Sequence, residues 1–297
     1  MFDRSLRRRD EVCDASARKM ALADLPFSWG AFMTRAGRFH LDAIVAFVPL
    51  HAACLLVLWT PFEKSHLLWL AGTYAIRMFA ITAGYHRYFS HRSFKLNRFF
   101  QFVFAFLAQT SAQLGVLWWA AHHRTHHRHS DTDKDVHSPV RGSVWWAHMG
   151  WLLDGASGRY DRRIMKDFEK FPELRLLNRF HRVPAILFGA GVAALGGYPA
   201  FLWGFVVSTV CLWHCTFSIN SLAHVWGTRS FETEDRSRNN LFLALITLGE
   251  GWHNNHHQFM NSARQGLRWW QVDMTFYVLR VLSLVGIVRE LRVPQPH

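Results

Sequence analysis

The chain has 297 residues, half of them apolar (50%), and a formal net charge of +13 at pH 7. A basic balance of this size can indicate a nucleic-acid partner, but no nucleic-acid-binding motif accompanies it, and no such partner is expected. Long apolar runs flanked by basic residues instead predict an integral membrane protein whose basic segments lie against anionic lipid on the cytoplasmic side.

Residues 1–40 are polar and basic, and they include Arg7, Arg8 and Arg9 in a row. The segment lacks the apolar stretch and small-residue cleavage site of a secretory signal. It is predicted to be a cytoplasmic N-terminal tail, separate from a membrane domain over residues 41–297.

Four apolar runs follow, with lengths near the roughly 20 residues that a helix needs to cross a bilayer. The second run contains Arg77, which at that depth either faces the bundle interior or a water-filled site, or else the span is tilted. The sequence therefore predicts an all-α integral membrane protein with four transmembrane helices. The predicted spans are residues 41–60, 67–83, 183–197 and 200–222.

Four crossings place both termini on one side of the membrane, together with the basic insert. The short connections on the other side contain only Glu63 and Lys64 as charged residues. The positive-inside rule then places both termini in the cytoplasm, where residues 84–182 and 225–297 form a helical cap. Within this cap, glutamines interrupt the apolar run 99–121, which is predicted as one buried or interfacial helix.

Histidines recur at spacings that bring their side chains together. His123, His126 and His127 stand at i, i+3 and i+4, which on a helix share one face. The same spacing returns near the C-terminus, a pair stands five residues apart after the second run, and one histidine ends the fourth run. These six further residues are His253, His256 and His257, then His86 and His91, and finally His224.

Nine imidazoles exceed what one metal ion normally holds, so the pattern predicts two metal ions in the cap. The ligand type suits iron, copper, nickel or zinc, and the spacing does not choose among them. The alternative is a set of surface or pH-sensing histidines, which would be favoured for any single residue. The metal site is favoured here because two clusters with the same His-x-x-His-His spacing, a pair and a lone histidine all fall on one predicted face.

Neighbouring polar residues could orient the ligands or touch a metal-bound water. Asn220 lies one helical turn before His224, where it either caps the helix end or contacts such a water. Several carboxylates near the histidines could accept hydrogen bonds from ring nitrogens. They are Asp131, Asp133, Asp135, Glu232, Glu234 and Glu250.

These motifs resemble those of the membrane fatty acyl desaturases, in particular the stearoyl-CoA or Δ9 branch. The resemblance extends in order and spacing from about Leu41 to Val288, and the combination of motifs is highly specific. The matching stretches are His86-Arg-Tyr-Phe-Ser-His-Arg92, His123-Arg-Thr-His-His127, Asn220-Ser-Leu-Ala-His224 and Gly249-Glu-Gly-Trp-His-Asn-Asn-His-His257.

The resemblance implies a di-iron centre held by the nine histidines, with Asn220 touching one iron through water. In this family, O2 and two electrons convert a saturated acyl chain into one with a cis double bond. Gln113, Trp119 and Thr216 match residues that line the bend of the acyl tunnel, and Arg141 matches a basic residue of the family.

One departure concerns the carrier of the acyl chain. Gly155 and Ala156 stand where animal acyl-CoA members have a basic pair. Acyl-CoA, acyl-lipid and acyl-carrier-protein substrates therefore all stay open. Electrons are expected from a separate protein, such as ferredoxin, rubredoxin or cytochrome b5 with its reductase.

Two other functions remain possible on the sequence. A related di-iron membrane hydroxylase of alkanes or lipids would carry similar histidine motifs. A membrane metal transporter or sensor would instead place its ligands in mid-membrane along a permeation path.

Overall fold

The computed structural model describes residues 39–140 and 142–294. Over these ranges the regular secondary structure is helical, and strand-type pairing is limited to isolated bridges such as Phe39 with Asp154. The predicted tail therefore lies almost wholly outside the described residues, and so does Arg141.

Two apolar helices form the first pair of membrane segments. Helix α1, Leu41–Cys54, continues as a tighter turn over Leu55–Trp59. Helix α2, Lys64–Phe79, begins where the Glu63 backbone N–H donates to Nδ1 of His66 at 3.1 Å. Both segments are long and apolar enough to cross a bilayer, by length and composition.

Helix α2 does not end at residue 83 as predicted but runs on as a π-helical segment, Ala80–Ser90. A π-helix bonds each N–H to the carbonyl five residues earlier. The backbone N–H of His91 accordingly donates to the carbonyl of His86 at 3.2 Å. This wider turn explains the five-residue spacing of the pair, because it brings both imidazoles to one side.

A third apolar segment of 43 residues, Arg182–His224, contains the predicted third and fourth spans. Helix α6, Arg182–Phe201, is interrupted at Gly197, whose φ of 71° and ψ of −166° are not helical. After a π-helical turn, Leu202–Val207, helix α7 covers Ser208–Ser221 and ends in a short turn at His224.

The remaining described residues form the cap, which is made of shorter helices. The predicted single helix over residues 99–121 was wrong, because α3 and α4 are separate. Gln109 ends α3: its side-chain oxygen accepts from the Val116 backbone N–H at 3.0 Å, and its amide donates to the Leu177 carbonyl at 3.0 Å. The longer cap helices are α3, Arg98–Gln109; α4, Val116–His129; α5, Pro172–Arg179; α8, Leu241–Ile246; α9, His253–Gln258; and α10, Met274–Leu284.

Between α4 and α5, the cap contains only short helical turns, which are Trp146–Gly150, Trp151–Leu153, Gly155–Gly158, Arg162–Met165 and Lys166–Glu169. A chain of histidines ties the first of these turns to the membrane segments. Nε2 of His51 lies 2.9 Å from Nε2 of His214, whose Nδ1 lies 2.9 Å from Nε2 of His148. The cap is thus fixed to α1 and α7 by partly buried polar contacts as well as by packing.

Gly197 provides a test of the interrupted segment. Its backbone lies in a region that only glycine adopts readily, so Gly197→Ala is expected to cost about 1–3 kcal/mol of stability. The measurement is the apparent Tm of the purified protein in detergent. Gly191→Ala is the matched control, because a Cβ there meets open space within the same helix. An equal Tm for both variants would contradict the interruption.

Candidate metal centre

The nine histidines converge at the junction of the membrane segments and the cap, and they separate into two groups. In each group the ring nitrogens lie within 4.8 Å of one another. The five-histidine cluster consists of His86, His91, His123, His127 and His256. The four-histidine cluster consists of His126, His224, His253 and His257.

Helical geometry divides each His-x-x-His-His motif between the clusters. On α4, His123 and His127 are one turn apart and join the five-histidine cluster, whereas His126 faces the other one. On α9 the division is reversed, since His253 and His257 join the four-histidine cluster and His256 the other. The two helices therefore each contribute to both clusters and hold them next to each other.

The nitrogen contacts in the five-histidine cluster do not fit a hydrogen-bond network. Nε2 of His123 lies 2.8 Å from that of His91 and 2.9 Å from that of His127. Nε2 of His256 lies 2.9 Å from that of His127 and 3.0 Å from that of His86. One ring nitrogen is either a donor or an acceptor, so it cannot satisfy two such contacts along one in-plane direction.

A shared metal ion does fit these distances. Two nitrogens at right angles, each about 2.1 Å from an ion, are about 3.0 Å apart. The four-histidine cluster has the same spacing, with Nε2 of His253 at 3.1 Å from that of His224 and 3.0 Å from that of His257. Each cluster therefore has a donor set and spacing able to hold one metal ion.

Carboxylates fix the ring nitrogens that face away from the clusters. Glu250 contacts Nδ1 of His86, in the five-histidine cluster. In the four-histidine cluster, Nδ1 donates to a carboxylate in three rings. These pairs are His126 with Asp135 at 2.9 Å, His224 with Asp131 at 2.9 Å and His257 with Asp235 at 2.5 Å. A proton held at Nδ1 leaves the Nε2 lone pair free for a metal.

Three of the six carboxylates predicted to orient rings do so, namely Asp131, Asp135 and Glu250. Asp235 was not predicted, although its neighbours Glu232 and Glu234 were. The exposed Glu232 and Glu234 precede Asp235 in the loop before α8, and of these three only Asp235 is directed at a ligand ring. The sequence offered no periodicity in this loop that could have separated the three.

Burial lowers the pKa of six of the nine imidazoles. At His126 the Asp135 carboxylate outweighs burial and raises the pKa of the ring. Burial, together with neighbouring histidines, holds the pKa of His253 and His256 well below its usual range. Burial would raise the pKa of Glu250, but His86 and Arg87 outweigh it and lower that pKa to about 2. Neutral imidazole is the form that binds a metal ion.

A buried ion-pair network supports the Glu250 carboxylate. The Arg87 guanidinium donates to Glu250 at 3.0 Å, lies 2.9 Å from Asp273 and donates to the Ala263 carbonyl at 2.6 Å. Arg87 is fully buried, and removal of one partner would leave an uncompensated charge. This network joins the histidine pair after α2 to the C-terminal part of the cap.

An apolar cavity of about 500 Å³ reaches the five-histidine cluster at His123. Asn220 lines it, as do Gln113, Trp119 and Thr216. The Gln113 amide donates to Thr216 at 3.2 Å and accepts from the Trp119 indole N–H at 3.2 Å. The structure thus places these three residues together in the cavity wall beside the cluster, while Arg141 lies outside the described residues.

The comparisons with known proteins agree with this arrangement. A family model described as "Fatty acid desaturase" matches residues 64–283. The chain belongs to the fatty acid desaturase family. It is therefore a membrane fatty acyl desaturase, an enzyme that introduces double bonds into acyl chains, as the sequence motifs predicted.

Similar relatives differ in the bond position and carrier that their names give. An "Acyl-CoA C20 Delta5-desaturase" from Anemone leveillei is 39% identical over 251 residues, covering 82% of this chain and 79% of the relative. An "sn-1 stearoyl-lipid 9-desaturase" from Synechocystis sp. is 37% identical over 256 residues, covering 86% of this chain and 77% of the relative. A chloroplastic "Palmitoyl-monogalactosyldiacylglycerol delta-7 desaturase" from Arabidopsis thaliana is 37% identical over 251 residues, covering 81% and 66%.

Asp235 provides a test of the four-histidine cluster. Asp235→Asn removes the acceptor that fixes the His257 ring, and such a loss typically weakens metal binding about 10–100-fold. Metal content is measured by elemental analysis after dialysis against a graded chelator. The exposed neighbour substitution Glu234→Gln is the control and is expected to keep the full metal content. Equal retention in both variants would contradict the role of Asp235.

Proposed function

We propose that this desaturase inserts a cis double bond, at the Δ9 position, into a saturated acyl chain with O2 and two electrons. The observation that carries the proposal is the convergence of the nine histidines on two adjacent clusters at the wall of an apolar cavity. The overall reaction takes two hydrogens from the chain and, with two electrons and two protons, reduces O2 to two waters.

The proposed cofactor is a pair of iron ions, one in each histidine cluster. When bound, they supply the oxidising power that the reaction needs to attack an unactivated methylene pair. The chain's own residues hold and orient the centre: the nine histidines are its ligands, four carboxylates fix their rings, and Asn220 contacts one ion through water. Neutral ligands leave the charge of each ion largely uncompensated.

The cavity residues position the acyl chain. The bonded group of Gln113, Trp119 and Thr216 is rigid because each side chain is held by another, so it can force the chain to bend beside His123. A chain fixed in this way presents one pair of carbons to the centre. Apolar walls also exclude water from the reacting carbons.

The acyl carrier is proposed to be CoA or a membrane lipid. Relatives named for acyl-CoA and for stearoyl-lipid substrates have similar identity to this chain. The proposed contact of Arg141 with the polar end of the substrate suits either CoA or a phospholipid, since both have phosphate groups. Gly155 and Ala156 offer no charge for a CoA phosphate, and this supports the lipid-linked substrate.

We further propose four membrane crossings, with both termini and the metal centre at the cytoplasmic face. The interruption at Gly197 supports two crossings within Arg182–His224, because it lets the chain reverse direction between α6 and α7. Cap residues 84–182 and 225–297 then share one side with the basic N-terminal residues.

His256→Ala tests the proposed reaction, because this ring contacts two others in the five-histidine cluster. A desaturase-deficient host that expresses the wild-type chain is expected to accumulate Δ9 monoenes, and the variant to lose them by about 100-fold or more. Gas chromatography–mass spectrometry locates the double bonds. His129→Ala on the same helix as His123 is the control and is expected to keep activity. Hydroxylated products from the wild-type chain would contradict desaturation.

The electron donor is proposed to be a separate acidic protein, such as ferredoxin, rubredoxin or cytochrome b5, that docks on the basic cap. Opposite charges accelerate such encounters, and salt screens them. The rate of reduction by ferredoxin is therefore expected to fall about tenfold or more between low and high ionic strength. A small uncharged reductant is the control, and a salt-independent ferredoxin rate would contradict electrostatic docking.

A further inference from the structure

One end of the cavity lies between the membrane segments and has an apolar lining. Its walls there include Leu50 on α1, Ala185 and Gly189 on α6, and Phe201 and Phe205 beside the π-helical turn. Gly189 is seven residues along α6 from Arg182, or about 10 Å deeper in the helix. We refer to this group as the span end of the cavity.

The polar lining of the cavity lies elsewhere. Asp42 and Arg182 stand in the first turns of α1 and α6 and form an ion pair at 2.5 Å, while His122 and His137 belong to the cap. A carrier with polar groups therefore fits the side of Asp42, Arg182 and the cap. The methyl end of an acyl chain, which has no polar group, fits the span end.

Phe205 is held at the span end from several sides. Its ring is buried and stacks on Phe201 with 5.5 Å between ring centroids. A Cβ added to Gly189 would lie 3.1 Å from the Phe205 ring, so the ring occupies space that the glycine leaves. The phenyl group thus forms a wall of the cavity that has little room to move.

Arg77, which is buried, contacts the Phe205 ring. Its guanidinium donates to the Ser208 and Thr209 hydroxyls at 2.6 Å each and to the Gly204 carbonyl at 3.3 Å. Nε donates to the Thr73 carbonyl at 3.2 Å. The guanidinium carbon lies 5.6 Å from the Phe205 ring centroid and 5.0 Å from that of Phe188.

A cation among neutral partners inside a membrane segment is costly and usually serves a function. Arg77 is completely buried, and the four groups that accept its hydrogen bonds are all neutral. The cation–π contact attracts the Phe205 ring toward a guanidinium that is itself fixed by α7. Four hydrogen bonds thus fix the guanidinium, and its contact with the ring adds to the packing that holds Phe205.

We infer that Phe205, positioned by Arg77, closes the span end of the cavity and sets the longest acyl chain that this desaturase accepts. The inference rests on the proposed function and names a specificity-determining residue for it. Shape limits chain length here because each methylene that fits or fails to fit an apolar pocket changes selectivity about 10–200-fold.

Phe205→Ala tests the inference in the full-length protein. A desaturase-deficient host is supplied with a series of saturated fatty acids of increasing length, and monoene products are quantified together with the amount of protein. The variant is expected to raise the conversion of the next longer even-numbered chain, relative to the preferred one, by about tenfold or more. Phe205→Leu, which removes less volume, is expected to give a smaller shift.

Phe188→Ala is the matched control, because Phe188 also contacts Arg77 but does not line the cavity. It removes the same volume from a neighbouring helix and is expected to leave the chain-length profile unchanged. Arg77→Lys keeps the positive charge but lacks the planar guanidinium that donates several hydrogen bonds at once. The chain-length profile of the products is therefore expected to broaden toward longer chains, while the double-bond position stays the same.

An active Phe205→Ala or Phe205→Leu enzyme with the wild-type profile would overturn the inference, and so would an equal shift in Phe188→Ala. Failure of the proposed function looks different, because the wild-type chain itself would then yield hydroxylated products or no monoenes in the presence of a working donor.

Discussion

The structure depends on the convergence of many imidazole nitrogens, because several Nε2 atoms have two nitrogen neighbours and hydrogen bonds alone cannot satisfy both contacts. Nε2 of His256 has two nitrogen neighbours within 3.0 Å, and Nε2 of His253 has two within 3.1 Å. Lone pairs that face each other in a buried site repel, and a metal ion reverses the sign of that interaction. Helices of the membrane segments and of the cap are therefore arranged so that these nitrogens can share a metal ion.

The two clusters differ in their surrounding charge. Three aspartates fix rings of the four-histidine cluster, whereas among the described residues Glu250 is the one carboxylate with this role in the other, and Arg87 compensates its charge. Negative charge raises the basicity of a ligand and stabilises the ion it binds. The proposed ions would therefore be inequivalent, with the ion near Asp131, Asp135 and Asp235 held in the more electron-rich site.

Much of the metal centre could be predicted because helical periodicity is local. The spacing of His123, His126 and His127 places three rings near one another without any tertiary information. Their division between two clusters could not be predicted, because it depends on how α4 and α9 face each other. His86 and His91 come together only because the segment that contains them is π-helical. The apolar and small residues of that segment are equally compatible with an ordinary α-helix, so the sequence does not indicate the π-helix.

The other differences between the sequence-based predictions and the structure also arise from tertiary contacts. Gln109 separates α3 from α4 by capping the next helix, a bond that apolar periodicity does not indicate. Asp235 and the adjacent Glu234 both have a carboxylate, and the path of the loop decides which of them meets His257. Arg77 faces the bundle interior, which is one of the placements that the sequence left open, but its contact with Phe205 joins residues that are far apart in sequence.

The nine histidines are proposed to hold two iron ions, one in each cluster. Crystals of the protein purified without chelators can be examined by anomalous X-ray diffraction at the iron absorption edge. Two anomalous peaks are expected, one among the Nε2 atoms of each cluster. A single peak, or peaks at the absorption edge of another metal only, would contradict the proposal.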